Sequence, residues 1–414
     1  MNTQLTRRRR IPRIALLLSI LAGIAILLYF IFISNIQAGD FQRYYYAAKQ
    51  AQAGEPFVKP YNIPQTELEM HYVYPPITVF FFYPFTLFPT WQLAFAAHVV
   101  LSVVCAGATL VLVIRYIESQ GIQLESIDKL LISGLFLVGP HAIMTYAHGQ
   151  VTYYVALAIC AGYILLEKRD EVGSGLLFSF PAILKVFPAL FGLWLAKKRA
   201  WKTIGTWALA GVSATVLSFV IFGMQMHISY IEYLSNERSR IDWYRGGLDP
   251  NIPLVTPNRA LSQLFPNAPS IVFSAAPLLL ALGIIGFVYY QTRLSEAKAE
   301  IVAFLVTTIC IIFATPSYPN YLLLMYFPLI TSLYTIPRIQ LPLGIGLVIA
   351  SVSVGPEEVS RVLSLTGIPA GIRLLLEQFV TAVLSIASPG LIGATIILAG
   401  CITYLTKKRN SSSI

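Results

Sequence analysis

One carboxylate and one lysine, each set among aromatic residues at the edge of an apolar run, are the side chains of this chain best suited to chemistry. Asp40 stands in Ile36-Gln37-Ala38-Gly39-Asp40-Phe41-Gln42-Arg43-Tyr44-Tyr45-Tyr46, directly after an apolar run over 11–34. A carboxylate at a membrane surface can take a proton from a hydroxyl of a substrate lying at the bilayer edge. The spacing of Phe41, Tyr44, Tyr45 and Ala48 predicts a surface helix over 40–53 with one buried face, Asp40 at its N-cap and Gly54 as its stop. Asp40 therefore has two readings, general base and helix cap, and both can hold together. Arg43 and Tyr44, one turn further on, are candidate substrate contacts.

Lys185 lies in Phe180-Pro181-Ala182-Ile183-Leu184-Lys185-Val186-Phe187-Pro188. An ionisable residue at membrane depth is costly and marks a functional hypothesis. Its chemistry would be pairing with a lipid phosphate; the alternative is an ammonium that snorkels to the surface. His148 and Gln150 flank Gly149 in a tight turn between two apolar runs, where they could hydrogen-bond a sugar or simply form the polar turn that such a connection needs. Asn258-Arg259 precedes another apolar run. Arg259 is a candidate second phosphate contact or an interfacial anchor. His98 and His141 fall inside apolar runs and read as packing or span-to-span hydrogen bonds.

The elements that must position these residues are membrane spans. Of 414 residues, 56% are hydrophobic and 12% charged, against about 25% charged in soluble domains. Mean hydropathy is +0.69. Apolar runs predict spans near 13–34, 91–114, 129–147, 151–166, 203–223, 271–291, 299–315, 320–336, 340–354 and 387–406. The fold class is thus an all-α polytopic membrane protein. The first run is too long for a signal-peptide core and follows Arg7-Arg8-Arg9-Arg10, so it reads as a retained span behind a cytoplasmic basic tail, 1–12. The four cysteines all lie in apolar runs and read as small packing residues, not as disulfides or metal ligands.

Two segments are anomalous. Residues 76–88 are apolar but short and proline-broken, re-entrant or interfacial. Residues 172–196 are long enough for one span, yet Lys168-Arg169 and Lys197-Lys198-Arg199 flank both ends. A re-entrant or broken hairpin of two short helices, with Pro181 and Pro188 bracketing its middle, keeps both clusters inside. With that hairpin, 19 Lys/Arg and 8 Asp/Glu fall inside and 10 Lys/Arg and 11 Asp/Glu outside. The net charge of +10 is then the positive-inside rule, with no nucleic-acid partner required. Three long segments face outward, 35–90, 224–270 and 355–386, and the tail 407–414 ends inside. The first carries Asp40, Glu55, Glu67, Glu69 and His71.

Nucleotide-binding glycine loops, a Gly-x-Ser-x-Gly elbow and Cys/His metal spacings are all missing from the sequence. No Asp-x-Asp offers a divalent metal; Glu67-Leu68-Glu69 is the nearest approach. No metal and no cofactor are expected.

Several pieces in order resemble the polytopic GT-C glycosyltransferases of family 87, the polyprenol-phosphate-mannose-dependent α-mannosyltransferases. They are Gly39-Asp40-Phe41 with Ala47-Ala48, Gly54 and Pro60-Tyr61; Tyr72-Val73-Tyr74-Pro75-Pro76 with Phe85-Thr86-Leu87-Phe88-Pro89; Gly149-Gln150-Val151-Thr152; Leu184-Lys185-Val186-Phe187-Pro188 before a basic cluster; and Pro257-Asn258-Arg259-Ala260-Leu261. The resemblance covers roughly 35–340. It implies a GT-C-like bundle of about 10–12 transmembrane helices in one membrane domain. It also implies a polyprenyl-phosphate sugar donor, a glycolipid or glycan acceptor, and inverting, metal-independent transfer at the outer face. The family's catalytic aspartate in the first outside loop maps onto Asp40. One departure stands out: Asn320, in Thr315-Pro316-Ser317-Tyr318-Pro319-Asn320, occupies the place where family members often carry histidine. Two rival readings use the same residues without chemistry, a flippase for a lipid-linked saccharide and a non-catalytic partner in envelope-glycan assembly. The absence of an internal repeat and the one-sided polar loops favour the enzyme.

Overall fold

The structure, a computed structural model, describes residues 2–33, 38–58, 61–62, 69–70, 72–236, 244, 246–292, 296–353, 355–364 and 366–411. Glu67 and His71 lie outside the described residues. Among these residues the regular secondary structure is helical apart from a two-residue antiparallel pairing of Tyr61–Asn62 with Glu69–Met70. Six helical stretches are long and apolar enough to cross a membrane: Arg9–Phe32, Trp91–Ser119, Ser126–His148, Trp201–Ser235, Ile271–Gln291 and Pro389–Lys407. A bent pair, Pro319–Thr335 with Pro337–Ala350, meets the same test together. In a bilayer only helices and closed barrels satisfy every backbone polar group, so this is an all-α polytopic membrane protein.

The helices are α1 (Asn2–Phe32), α2 (Gly39–Gln52), α3 (Trp91–Ser119), α4 (Ser126–Val138), α5 (Pro140–His148), α6 (Thr152–Glu167), α7 (Glu171–Lys185), α8 (Phe191–Lys197), α9 (Trp201–Asn236), α10 (Asn258–Leu264), α11 (Ser270–Gln291), α12 (Ala297–Phe313), α13 (Tyr326–Thr335), α14 (Gln340–Ala350), α15 (Pro356–Ser364), α16 (Ala370–Ile386) and α17 (Pro389–Ser411). The expected spans 320–336 and 340–354 are instead the arms of the bent pair, which meet at 111°. Each arm begins with proline and a 3₁₀ turn, Pro319–Met325 and Pro337–Ile339, which break the α-helical ladder. The expected span 299–315 is α12, buried at every position from Ala299 to Phe313, so protein rather than lipid surrounds it. Hydropathy cannot tell these two environments apart.

The chain forms two compact units. One comprises Met1–Leu28, Val113–Ile143 and Arg240–Ile414. Its core is α12, with α14 and α17 packed closely together beside it. An ionic cluster ties α1 to the start of α4. Arg13 Nε and Nη2 grip both oxygens of Asp128 at 2.7 and 3.0 Å, and Arg9 and Arg13 reach Glu125 at 2.5 and 2.6 Å. Asp128 is fully buried and also accepts from Tyr334 Oη at 3.3 Å. The basic tail is therefore a continuous helix whose arginines are partly spent on internal pairs. His141 is buried, with Nε2 donating to Ala350 O and Nδ1 accepting from Tyr326 Oη, in keeping with the span-to-span hydrogen bond expected for it.

The other unit comprises Tyr29–Leu112 and Met144–Ser239. Here 76–88 forms a 3₁₀ run, Pro76–Leu87, against α2 and α9. The anomalous segment 172–196 is a broken hairpin. Helix α7 ends at Lys185, Val186 turns the chain, and α8 folds back so that Phe178 meets Phe191 and Trp194 at 5.9 and 6.1 Å. Gly175 packs on Thr203 and Thr206, so the start of α7 and the start of α9 share one end of the hairpin, where both basic clusters lie. The break falls at Val186, whose φ of 56° and ψ of −54° a β-branched residue rarely adopts. Pro181, expected to break the helix, lies inside α7. Helix α9 runs through a break at Gly223 to Asn236, further than the span expected to end at 223.

Candidate active site

Helix α2 carries the first site residue. Phe41, Tyr44, Tyr45, Ala47 and Ala48 are buried, which is the predicted face, and they leave Asp40 and Arg43 at the rim, 24% and 37% exposed. Asp40 is not the N-cap. That position belongs to Ala38, in the left-handed region and with no side chain to cap with, and Asp40 sits in the first turn. A carboxylate there still faces the positive end of the helix dipole.

Aromatic rings fix this helix on its neighbours. Tyr44 stacks on Phe82 at 4.5 Å and on Tyr74 at 5.2 Å, and its hydroxyl meets that of Tyr74 at 2.7 Å. Thr78 Oγ1 donates to Pro75 O, so the 2.6 Å contact with Tyr72 has the tyrosine as donor. Phe41 lies on His98 at 4.8 Å. His98 in turn accepts from, or donates to, Tyr154 Oη at 2.9 Å.

The turn between α5 and α6 supplies the second residue. Gly149 has a φ of 67°, and a Cβ there would stand 2.4 Å from Phe41 Cβ. Only glycine lets this turn lie against the start of α2. Gln150 follows, 8% exposed, and its amide Nε2 donates to Asp40 Oδ2. Its Oε1 accepts from Lys185 Nζ at 3.1 Å. Lys185 is 4% exposed at the C-terminal end of α7, where the dipole favours a cation. Its ammonium also stands 5.7 Å from the centre of the Tyr74 ring. A carboxylate and an ammonium, 145 positions apart in sequence, are thereby joined through one amide. Arg43 Nη1 adds positive charge 3.7 Å from Asp40 Oδ1.

Other predicted residues sit differently. His148 is exposed; its Nδ1–H donates to Met144 O at 2.9 Å and leaves Nε2 as an outward acceptor. Arg259, Asn258 and Asn320 belong to the other unit. Arg259 is 1% exposed, and its guanidinium donates to three backbone carbonyls, Leu254 O, Leu384 O at 2.7 Å, and Ile252 O. Burial pushes its pKa down to about 10, which leaves it charged at neutral pH. Asn258 Nδ2 reaches Tyr244 Oη at 3.4 Å, while its Oδ1 and Thr256 Oγ1 are buried without hydrogen-bond partners among the described residues. Asn320 is buried in the 3₁₀ run Pro319–Met325. Among the described residues no three of His, Cys, Asp and Glu converge as a metal site would need.

Tyr74, in Tyr72-Val73-Tyr74-Pro75-Pro76, carries no sequence signal of a role at the site. Its position beside both Tyr44 and Lys185 comes from tertiary contacts that no local pattern encodes.

This is a membrane protein whose aspartate and lysine converge through a glutamine, and it belongs to glycosyltransferase family 87, whose model matches residues 72–317, more than half of the chain. The match takes in Gln150 and Lys185 and begins after Asp40. Over 172 residues the chain is 25% identical to the polyprenol-phosphate-mannose-dependent alpha-(1-2)-phosphatidylinositol pentamannoside mannosyltransferase of Mycolicibacterium smegmatis. That similarity covers 41% of this chain and 40% of the relative, so the chain spans about two-fifths of that protein's length.

Proposed function

We propose that this protein moves a hexose, mannose by analogy with the mycobacterial relative, from a polyprenyl-phosphate donor to a hydroxyl of a glycolipid or glycan acceptor. The observation that carries the reading is the chain Asp40–Gln150–Lys185. Sugar transfer from a lipid phosphate needs a base on one side of the anomeric carbon and a cation on the other, and this chain supplies both. The Asp40 carboxylate takes the acceptor O–H proton. The oxygen attacks the anomeric carbon from the face opposite the phosphate and inverts it. The bond between that carbon and the phosphate oxygen breaks, and its electron pair leaves on the lipid phosphate. Lys185 stabilises the charge that develops there.

The remaining candidates take smaller parts in this reading. Arg43 adds positive charge at the rim, Tyr44 holds Tyr74 beside the ammonium, and His148 offers Nε2 to a sugar hydroxyl. Arg259 acts as a brace, because its donors are taken up by carbonyls. Asn258 and Asn320 remain candidate polar contacts. The basic clusters at one end of the hairpin support a topology with both termini cytoplasmic and the site extracytoplasmic.

Purified protein in nanodiscs, given radiolabelled polyprenyl-phosphate mannose or glucose and mixed glycolipid acceptors, tests the reading. Label passing to an acceptor from one of the donors is expected. Label that crosses the bilayer with its sugar–phosphate bond intact, and never reaches an acceptor, would make the protein a flippase.

A further inference from the structure

Helices α15 and α16 form a hairpin between α14 and α17 in which no residue is buried. It falls in the segment 355–386, expected to face outward. Helix α16 carries an apolar stripe. Ile372, Leu375, Leu376, Phe379, Val383 and Ile386 recur at helical spacing and are 39–66% exposed. With 3.6 residues per turn they fill one arc about 100° wide, and Leu374 is the one exposed leucine off it. The charges lie off this arc and are turned toward protein. Arg373 Nε stands 3.8 Å from Glu377 Oε1, which accepts from Ser360 Oγ of α15 at 2.9 Å. Helix α10 also packs on α16, and its Arg259 Nη1 donates to Leu384 O. Gln378, on a third side, is exposed. A surface helix in water does the reverse: it buries its apolar stripe and exposes its charges.

What covers the stripe follows from where the helix ends. Only Ala387 and Ser388 separate α16 from α17, a helix long and apolar enough to cross the membrane. Three Cα steps reach at most about 11 Å, so this end of α16 is held at the mouth of a span. The helix is too short to be a span itself. Its 17 residues make about 25 Å, against a hydrocarbon core of ~30 Å, and crossing would carry Arg373 and Glu377 into that core. Across the hairpin Glu357, Glu358 and Glu377 outnumber Arg361 and Arg373, so no basic excess draws it to anionic headgroups.

We infer that α16 lies in the plane of the membrane, with the stripe among the acyl chains of one leaflet and Gln378 toward water. The ligand of this face is lipid, held by hydrophobic contact and not by headgroup charge. Such helices sink about 5–10 Å into the boundary between headgroups and chains. Arg259, which also donates to Ile252 O and Leu254 O, ties that loop to the same helix. The inference stands whatever sugar the protein transfers.

The wild-type chain in phosphatidylcholine nanodiscs tests it, with a photoactivatable diazirine placed either high on the lipid acyl chain or at its end. Adducts are mapped by mass spectrometry, and hydroxyl radicals generated in the water report aqueous access in parallel. Leu280, half-exposed in the middle of α11, is the reference for deep lipid. The shallow probe is expected to mark Leu375, Phe379 and Val383 alike, the deep probe to mark Leu280 and spare α16, and Phe379 to escape oxidation. Replacing a third of the lipid by phosphatidylglycerol should leave the yields on α16 unchanged. Oxidation of Phe379 without adducts would put the stripe in water and overturn the inference. Neither adducts nor oxidation would mean that protein, such as a second copy, covers it. Deep-probe adducts at the middle of α16 would make it a span, and a several-fold rise with phosphatidylglycerol would make headgroup charge the attraction; each of these outcomes overturns the inference as stated.

Discussion

Gly149→Ala tests whether the site is held by the close contact between the α5–α6 turn and the start of α2. The added Cβ would lie 2.4 Å from Phe41 Cβ and 3.2 Å from the Phe95 ring. Ordinary carbon contacts lie at about 3.5–4.0 Å, so the turn and the helix must separate by about 1 Å. Two costs add: about 1–2 kcal/mol for a left-handed conformation with a side chain, and about 1–3 kcal/mol for overpacking. The expected loss of stability is therefore about 2–5 kcal/mol. Gly54→Ala is the internal control. Gly54 has a φ of 75° but open space around its missing Cβ, so only the conformational cost applies, about 1–2 kcal/mol. Thermal unfolding in one detergent should rank wild type, Gly54→Ala and Gly149→Ala in falling order. Transfer by the folded fraction should stay near wild type for Gly54→Ala. It should fall about 100-fold for Gly149→Ala, because a 1 Å displacement moves Gln150 away from Asp40. Equal melting temperatures for the two variants, or full transfer by Gly149→Ala, would refute the close contact as the device that sets the site.

Lys185→Met should raise the donor KM by about 10- to 100-fold, the range of a hydrogen bond to a charged group, while Lys185→Arg should keep part of the affinity; a KM within twofold of wild type for the methionine variant would remove Lys185 from the phosphate. Asp128→Ala should cost about 1.5–3 kcal/mol of stability, the scale of hydrogen bonds to a charged group, because Arg13 loses its bonds to Asp128 but keeps Glu125, yet leave transfer per folded molecule unchanged; parallel thermal melts and rates on the same preparation check this. Arg259→Lys should lower the melting temperature nearly as much as Arg259→Ala, because one ammonium cannot replace a planar fork donating to three carbonyls; a lysine variant that melts like wild type would contradict the brace.

The fold was legible where one physical rule dominated. The α2 face came from the spacing of Phe41, Tyr44, Tyr45 and Ala48, and the 172–196 hairpin from basic clusters at both of its ends. Hydropathy does not foretell that α12 is enclosed by protein, nor that proline-led 3₁₀ turns bend the pair of expected spans over 319–350. At the site, Asp40 and Lys185 are visible in the sequence as ionisable residues beside apolar runs and Gln150 as a polar turn residue, but their connection is not. For Gln150 the sequence leaves open a sugar contact and a plain polar turn, and it offers no sign that the amide lies between two charges. Nor could the sequence reveal that Arg259 is saturated by backbone carbonyls, or that Asp128 binds arginines of the N-terminal helix.

The central claim is that the Asp40 carboxylate is the base in sugar transfer. The most direct measurement is single-turnover transfer from radiolabelled polyprenyl-phosphate mannose by wild type and Asp40→Asn at matched folded concentrations. Asparagine keeps the volume and an oxygen able to accept from Gln150 Nε2, so fold and donor binding should persist. It cannot take a proton, and the rate should fall by about 10²- to 10⁴-fold. Asp40→Asn transferring sugar within a fewfold of wild type would contradict the account and place the base elsewhere.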